Sequence, residues 1–193
     1  MIKNKLAYFI RIFTVAPFMA LVLLITLYLR APQTFGNQLT FAATVFFLTG
    51  LPLLAYPLQP LFRKFRDGGR EGQRKLAMLF AVAGYIGGLI FAIATRATQD
   101  VIIIYVAYLI SGSLVGLTNK VLHFKASGHA CGVAGPFMLL VYFGQPIGYL
   151  GFGVLAITWL ASLYMKRHTW PQLLAGNTIP FISLAMISMV HMG

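Results

Sequence analysis

With 193 residues, 59% of them hydrophobic and 9% charged, the chain carries more apolar surface than one water-soluble core of its size could hide. Lys and Arg number 15 against three acidic residues, a net charge of +12. In so apolar a chain that excess reads as loops facing an anionic lipid leaflet and excludes nucleic acid as the favoured partner. The lone cysteine, Cys131, excludes an intramolecular disulfide framework.

A membrane-crossing helix needs roughly 20 apolar residues. On that rule the sequence predicts seven spans, over Ile12 to Leu29, Leu39 to Phe62, Leu76 to Thr95, Val101 to Leu117, His129 to Phe143, Ile147 to Met165 and Leu173 to Met192. The first follows basic residues as the core of a signal peptide would, but no small-residue cleavage site precedes Arg30, so a retained helix is expected. The fifth is short and tightly joined to the sixth through Gly144-Gln145-Pro146. The expected fold is an all-α integral membrane bundle of about seven transmembrane helices, one domain over residues 1–193 with no linker. No internal repeat is evident, which weighs against an inverted-repeat transporter.

Lys and Arg near the span ends set the expected orientation. With the N-terminus inside, Lys3, Lys5, Arg11, Arg63, Lys64, Arg66, Arg70, Arg74 and Lys75 lie inside, against Arg30 and Arg96 outside. That nine-to-two bias places the N-terminus in the cytoplasm. The stretch Arg63 to Lys75 reads as a flexible basic loop with glycines in its middle, a topology signal that also meets anionic headgroups.

Two polar clusters interrupt the apolar chain. One holds Asn119, Lys120, His123, Lys125, Ser127, Gly128 and His129; the other holds Lys166, Arg167, His168, Thr169, Pro171 and Gln172. Two predicted spans separate them, so a helical hairpin would return the second beside the first on one membrane face. Ser127-Gly128-His129 is placed to open a helix, whose free N–H groups and positive dipole end favour an anion. Pro171 suits the first turn of the last helix, which gives a second such end beside His168. The acidic residues Asp67, Glu71 and Asp100 all lie outside both clusters, which disfavours a carboxylate-bound magnesium or calcium site. Lys120, Lys125, Lys166 and Arg167 would then neutralise a phosphate themselves.

These residues resemble the type-2 phosphatidic acid phosphatase superfamily, whose pattern is K-x6-R-P, then P-S-G-H, then S-R-x5-H-x3-D. Ala126-Ser127-Gly128-His129 is similar to the second motif, and Ala161-Ser162-x5-His168-x3-Gln172 to the third. The glutamine form of the third motif resembles the dolichyl and polyprenyl pyrophosphatase branch. The likeness covers Lys120 to Gly176, within residues 119–176. It implies a six-helix phosphatase-like core plus one helix, in the plasma membrane of a bacterium or archaeon, with a site that needs neither metal nor other cofactor; the basic-residue bias is what puts that site on the cytoplasmic face. The implied substrate is a lipid or polyprenyl mono- or diphosphate. The implied roles are His168 as nucleophile, His129 as general acid, and Gln172 as acceptor for the His168 Nδ1–H. Lys120, Lys125, Ser127, Gly128 and Arg167 would bind phosphate, with Asn119 in support. K-x6-R-P is absent from its place, and Lys120 and Lys125 are assigned its work. The third motif's arginine is replaced by Ser162, so Arg167 or Lys166 would have to supply that charge. His123 and His191 have no motif partners and read as incidental. A different class of function on the same fold is a noncatalytic binder or transporter of anionic lipids, and a third is a structural membrane subunit.

Overall fold

The computed structural model describes residues 2–191, and every regular element among them is helical. The side chains of Lys3, Arg70 and His191, and Met192 at the predicted end of the last span, lie outside the described part. Eight helices organise the chain: α1 (Ile2–Phe13), α2 (Ala16–Arg30), α3 (Gln38–Leu61), α4 (Gly69–Ala94), α5 (Gln99–Lys120), α6 (Gly128–Tyr142), α7 (Gly151–Tyr164) and α8 (Trp170–His191). Helix α3 starts under an Asn37 cap, whose side chain accepts the Thr40 N–H at 2.8 Å, and contains a π turn at Phe46–Gly50.

Among the described residues, five helical stretches are long and apolar enough to cross a membrane: Gln38–Leu61, Glu71–Ala94, Gln99–Lys120, Pro146–Tyr164 and Trp170–Val190. A sixth exists if α1 and α2, which meet at a 50° bend, count as one broken span. The remaining predicted span forms α6, which has 15 residues. At 1.5 Å per residue that helix is roughly 22 Å long, short of the roughly 30 Å hydrocarbon core. Against the seven spans expected, five or six helical stretches among the described residues have the length to span, and the first predicted span is broken at the α1–α2 bend. Many large apolar side chains face outward, among them Leu29, Leu61, Phe152, Leu160 and Val190, more than a water-exposed surface normally carries.

The chain divides into two compact units, one made of residues up to Leu23 together with Ile110 onward, the other of Leu24–Leu109. In the second unit α3 packs on α4, where Gly84 lets the α4 backbone reach the Phe47 carbonyl. The basic stretch predicted as a loop is largely helical: a single turn at Arg63–Arg66 precedes α4, and Gln59 Nε2 donates to the Phe65 and Gly69 carbonyls. Those side-chain bonds, with the exposed Glu71–Lys75 pair at 2.9 Å, hold the segment in shape.

The first unit holds both polar clusters. Helix α6 packs closely on α8, with Ala126, Cys131 and Ile179 at its core beside Leu114, Val115 and Ala175. Gly148 and Gly151 bring the start of the next helix onto Phe137 of α6, and α1 lies against α7. A hydroxyl pair, Ser111 and Ser183 at 2.9 Å, links α5 to α8 inside the apolar packing.

Candidate functional site

The chain leaves α5 at Lys120 and runs without regular structure until Ser127, whose extended backbone (φ −80, ψ 101) makes it the cap of α6. Its hydroxyl oxygen accepts the Ala130 N–H at 3.2 Å, which leaves His129 in the first helical turn. The second cluster is positioned by the end of α7. Lys166 adopts φ +52, its N–H donates to the Leu163 carbonyl at 2.9 Å, and the Arg167 N–H reaches the Ser162 carbonyl at 3.0 Å. That pair of bonds is a Schellman ending with lysine in the left-handed place usually given to glycine. The turn aims the chain directly into His168 and the start of α8.

The two clusters meet. The Ser127 N–H donates to the Gln172 carbonyl at 2.9 Å, so the first turns of α6 and α8 are stitched by a backbone bond. Gly176, one turn further along α8, lies so close to the Ser127 carbonyl that a side chain there would collide with it. A small residue is thus what allows the approach.

The hydrogen bonds also assign one imidazole. Gln172 Oε1 accepts the Thr169 backbone N–H at 3.2 Å, which identifies that end of the amide as the oxygen. Since this oxygen can only accept, His168 Nδ1, 3.1 Å away, must carry the proton. A neutral His168 then keeps its lone pair on Nε2. Thr14 of the α1–α2 bend is the partner of His129: its hydroxyl lies 2.8 Å from the Ile10 carbonyl and 3.0 Å from His129 Nε2. With the hydroxyl proton on the carbonyl it accepts from an Nε2–H, and with that proton on the ring it donates to an Nε2 lone pair, so either tautomer of His129 is served.

Other expected residues fall less centrally. Ser127 is fully buried and caps its helix, while Gly128 at the same helix start is exposed. Lys120, Lys125, Lys166 and Arg167 are exposed around the two turns, as are Asn119 and His123. The position where motif arginine is replaced, Ser162, is reached by neither Arg167 nor Lys166 through its side chain; its hydroxyl accepts from Arg11 Nη1 at 2.5 Å. Arg11 and Thr14 are the participants that reading the sequence missed. Arg11 is counted there only as a charge near a span end, and nothing in the local sequence ties it to residues more than a hundred positions away. Among the described residues no group of three or more His, Cys, Asp or Glu side chains could hold a metal ion.

No family model, curated protein or solved structure matches this chain.

Proposed function

We propose that the chain is a multi-pass membrane phosphatase of the type-2 phosphatidic acid phosphatase kind, acting on a lipid or polyprenyl mono- or diphosphate at the cytoplasmic face. The observation that carries this reading is the join between the polar clusters, in which Gln172 holds His168 through Nδ1 while its own carbonyl binds the Ser127 N–H at the start of α6. Five or six long apolar helices among the described residues fit a protein that lives in lipid, and α6 is a further, shorter apolar helix.

In this mechanism His168 Nε2 attacks phosphorus in line and forms a phosphohistidine. A protonated His129, whose Nε2 faces the Thr14 hydroxyl in the resting site, gives its Nε2 proton to the departing oxygen. Water then attacks the phosphohistidine, and the His129 Nε2 lone pair takes the proton released. Lys120, Lys125, Arg167 and the amide groups at Gly128 meet the charge on the phosphoryl oxygens. No carboxylate lies in either cluster, so charge neutralisation rests on these cations and amides.

The test is release of inorganic phosphate by the purified chain, with EDTA present, from phosphatidic acid, phosphatidylglycerol phosphate and short and long polyprenyl mono- and diphosphates. Turnover of at least one of these in EDTA is expected. Turnover that stops on chelation and returns with a divalent ion overturns the metal-independent mechanism. Binding of these lipids without phosphate release favours the noncatalytic lipid binder.

A further inference from the structure

We propose that the pocket between α6, α7 and α8 binds one hydrocarbon chain of a lipid whose linkage to its phosphate carries a hydroxyl or amide N–H; the inference rests on the function proposed above for the phosphate at the helix starts, and names the chain and linkage of the substrate. The pocket holds about 180 Å³, and Phe137 and Met138 of α6, Phe152 and Leu155 of α7 and Phe181 of α8 make its wall apolar. Asn177 of α8 breaks that character: it lines the same pocket, and its Oδ1 is buried with no hydrogen-bond partner among the described residues. A buried amide oxygen without a donor is destabilising, and in the interior of a bilayer no water stands by to supply one. Because that oxygen can only accept, the group that completes it is an O–H or N–H.

Contacts along α8 fix where Asn177 stands. Its neighbour Gly176 touches the Ser127 carbonyl at the start of α6, and one turn on Pro180 packs against Gly135, whose β-carbon would lie 3.8 Å from the proline ring. Asn177 therefore occupies the end of the pocket nearest the helix starts, while Met138 and Phe181 lie further along their helices. From the polar clusters inward, the surroundings pass from charged side chains to a single amide and then to hydrocarbon. A lipid phosphate has the same order: phosphate, linkage, chain. An apolar cavity of roughly 150 Å³ is enough for benzene, so this pocket takes a run of about six carbons and not a whole lipid. Water is a poor occupant, since it needs about two to four polar partners. Among the lining side chains only Asn177 and Tyr149 carry nitrogen or oxygen, and Tyr149 is 60% exposed. A polyprenyl phosphate has no donor below its phosphate and leaves the amide unpaired, whereas an acyl chain joined through a glycerol with a free hydroxyl completes it.

The test uses a monoacylglycerol with a photoreactive diazirine in its acyl chain, added at low mole fraction to the purified protein in phosphatidylcholine vesicles, irradiated, and mapped by mass spectrometry. Label is expected on Phe137, Met138, Leu155 or Phe181, and excess unlabelled monoacylglycerol should displace it. The methyl ester of the same fatty acid has the chain but no O–H, and should compete ~10-fold less well, the loss of one hydrogen bond. Asn177→Leu keeps the bulk of the side chain and removes the amide, so the two competitors should become equal. Label confined to the outward faces of the helices, or pocket label that both competitors displace equally in wild type, overturns the inference. The wild-type comparison decides alone if Asn177→Leu does not fold. None of these probes carries phosphate, so the two readings fail separately. A phosphatase without displaceable pocket label loses this inference and keeps its function; a protein with that label that releases no phosphate from any lipid keeps the pocket and loses the phosphatase. Where phosphate is released, a monoacylglycerol phosphate should exceed a polyprenyl phosphate of equal carbon number by ~10-fold in kcat/KM, and Asn177→Leu should erase that preference; equal rates in wild type count against the inference.

Discussion

Replacing Gly176 by alanine should damage the site without touching a reacting group. A β-carbon built there lies 3.0 Å from the Ser127 carbonyl carbon and 3.1 Å from Ala130 Cβ, and closer still to the Ser127 oxygen. Carbon atoms prefer about 3.5–4.0 Å, so α8 must retreat from α6 by roughly 0.5–1 Å. The Ser127 N–H to Gln172 carbonyl bond, 2.9 Å in the native site, would then stretch to about the limit of hydrogen bonding. Overpacking of this kind costs about 1–3 kcal/mol, and the lost bond about 1 kcal/mol more. The helix propensity of alanine over glycine returns about 1 kcal/mol, which leaves a net destabilisation of about 1–3 kcal/mol. Because Gln172 sits on the displaced turn and orients His168, a shift of that size is expected to lower kcat by about 10- to 100-fold. The assay is phosphate release alongside thermal unfolding in detergent. Gly153→Ala serves as the control, since a β-carbon there meets nothing within 4 Å and α7 should gain from the change. Gly176→Ala with the rate and stability of wild type would refute the close approach of the two helix starts.

Gln172→Ala removes the acceptor of the His168 Nδ1–H and lets the ring choose its tautomer and orientation, so kcat should fall by about 10-fold or more with KM little changed; a fall confined to KM would argue that Gln172 binds substrate and does not orient the ring. For the cytoplasmic placement of the site, Asp67→Cys and Gln99→Cys are made separately in a Cys131→Ser background and treated in intact cells with an impermeant maleimide. Labelling at position 99 alone is expected from the nine-to-two distribution of basic residues, and labelling at 67 alone would reverse the topology.

What the sequence makes legible here is local chemistry. Ser127 ahead of an apolar run announces a capped helix start, and Pro171 with Gln172 announces the next one, because capping depends on residues within a turn of one another. That the two starts would meet follows from the short Gly144-Gln145-Pro146 connection between α6 and the helix after it. The α1 contribution was invisible for the opposite reason. Arg11 and Ser162 are 151 positions apart, and Thr14 and His129 are 115 apart, so no periodicity links them. The shortness of α6 is legible too: the predicted stretch His129 to Phe143 and the observed Gly128–Tyr142 both hold 15 residues, because the turn at Gly144, φ +71, stops the helix there. Gly68 and Gly69 make the Arg63 to Lys75 stretch look like a loop. Its order comes from the Gln59 side chain, whose two bonds to carbonyls beyond the turn leave no compositional trace.

The central claim is that phosphate passes through His168, and the most direct measurement is capture of that covalent state. The purified chain is mixed with a radiolabelled lipid phosphate that it hydrolyses, quenched in base to preserve phosphohistidine, and digested to locate the label. Label on His168 is expected in wild type. His168→Ala should carry none and lose turnover by on the order of three decades or more, since the covalent route is gone. His129→Ala should still acquire label, more slowly for a poor alkoxide leaving group than for an aryl phosphate that departs unaided. Near-normal phosphate release by His168→Ala, in a preparation free of other phosphatases, would contradict the account.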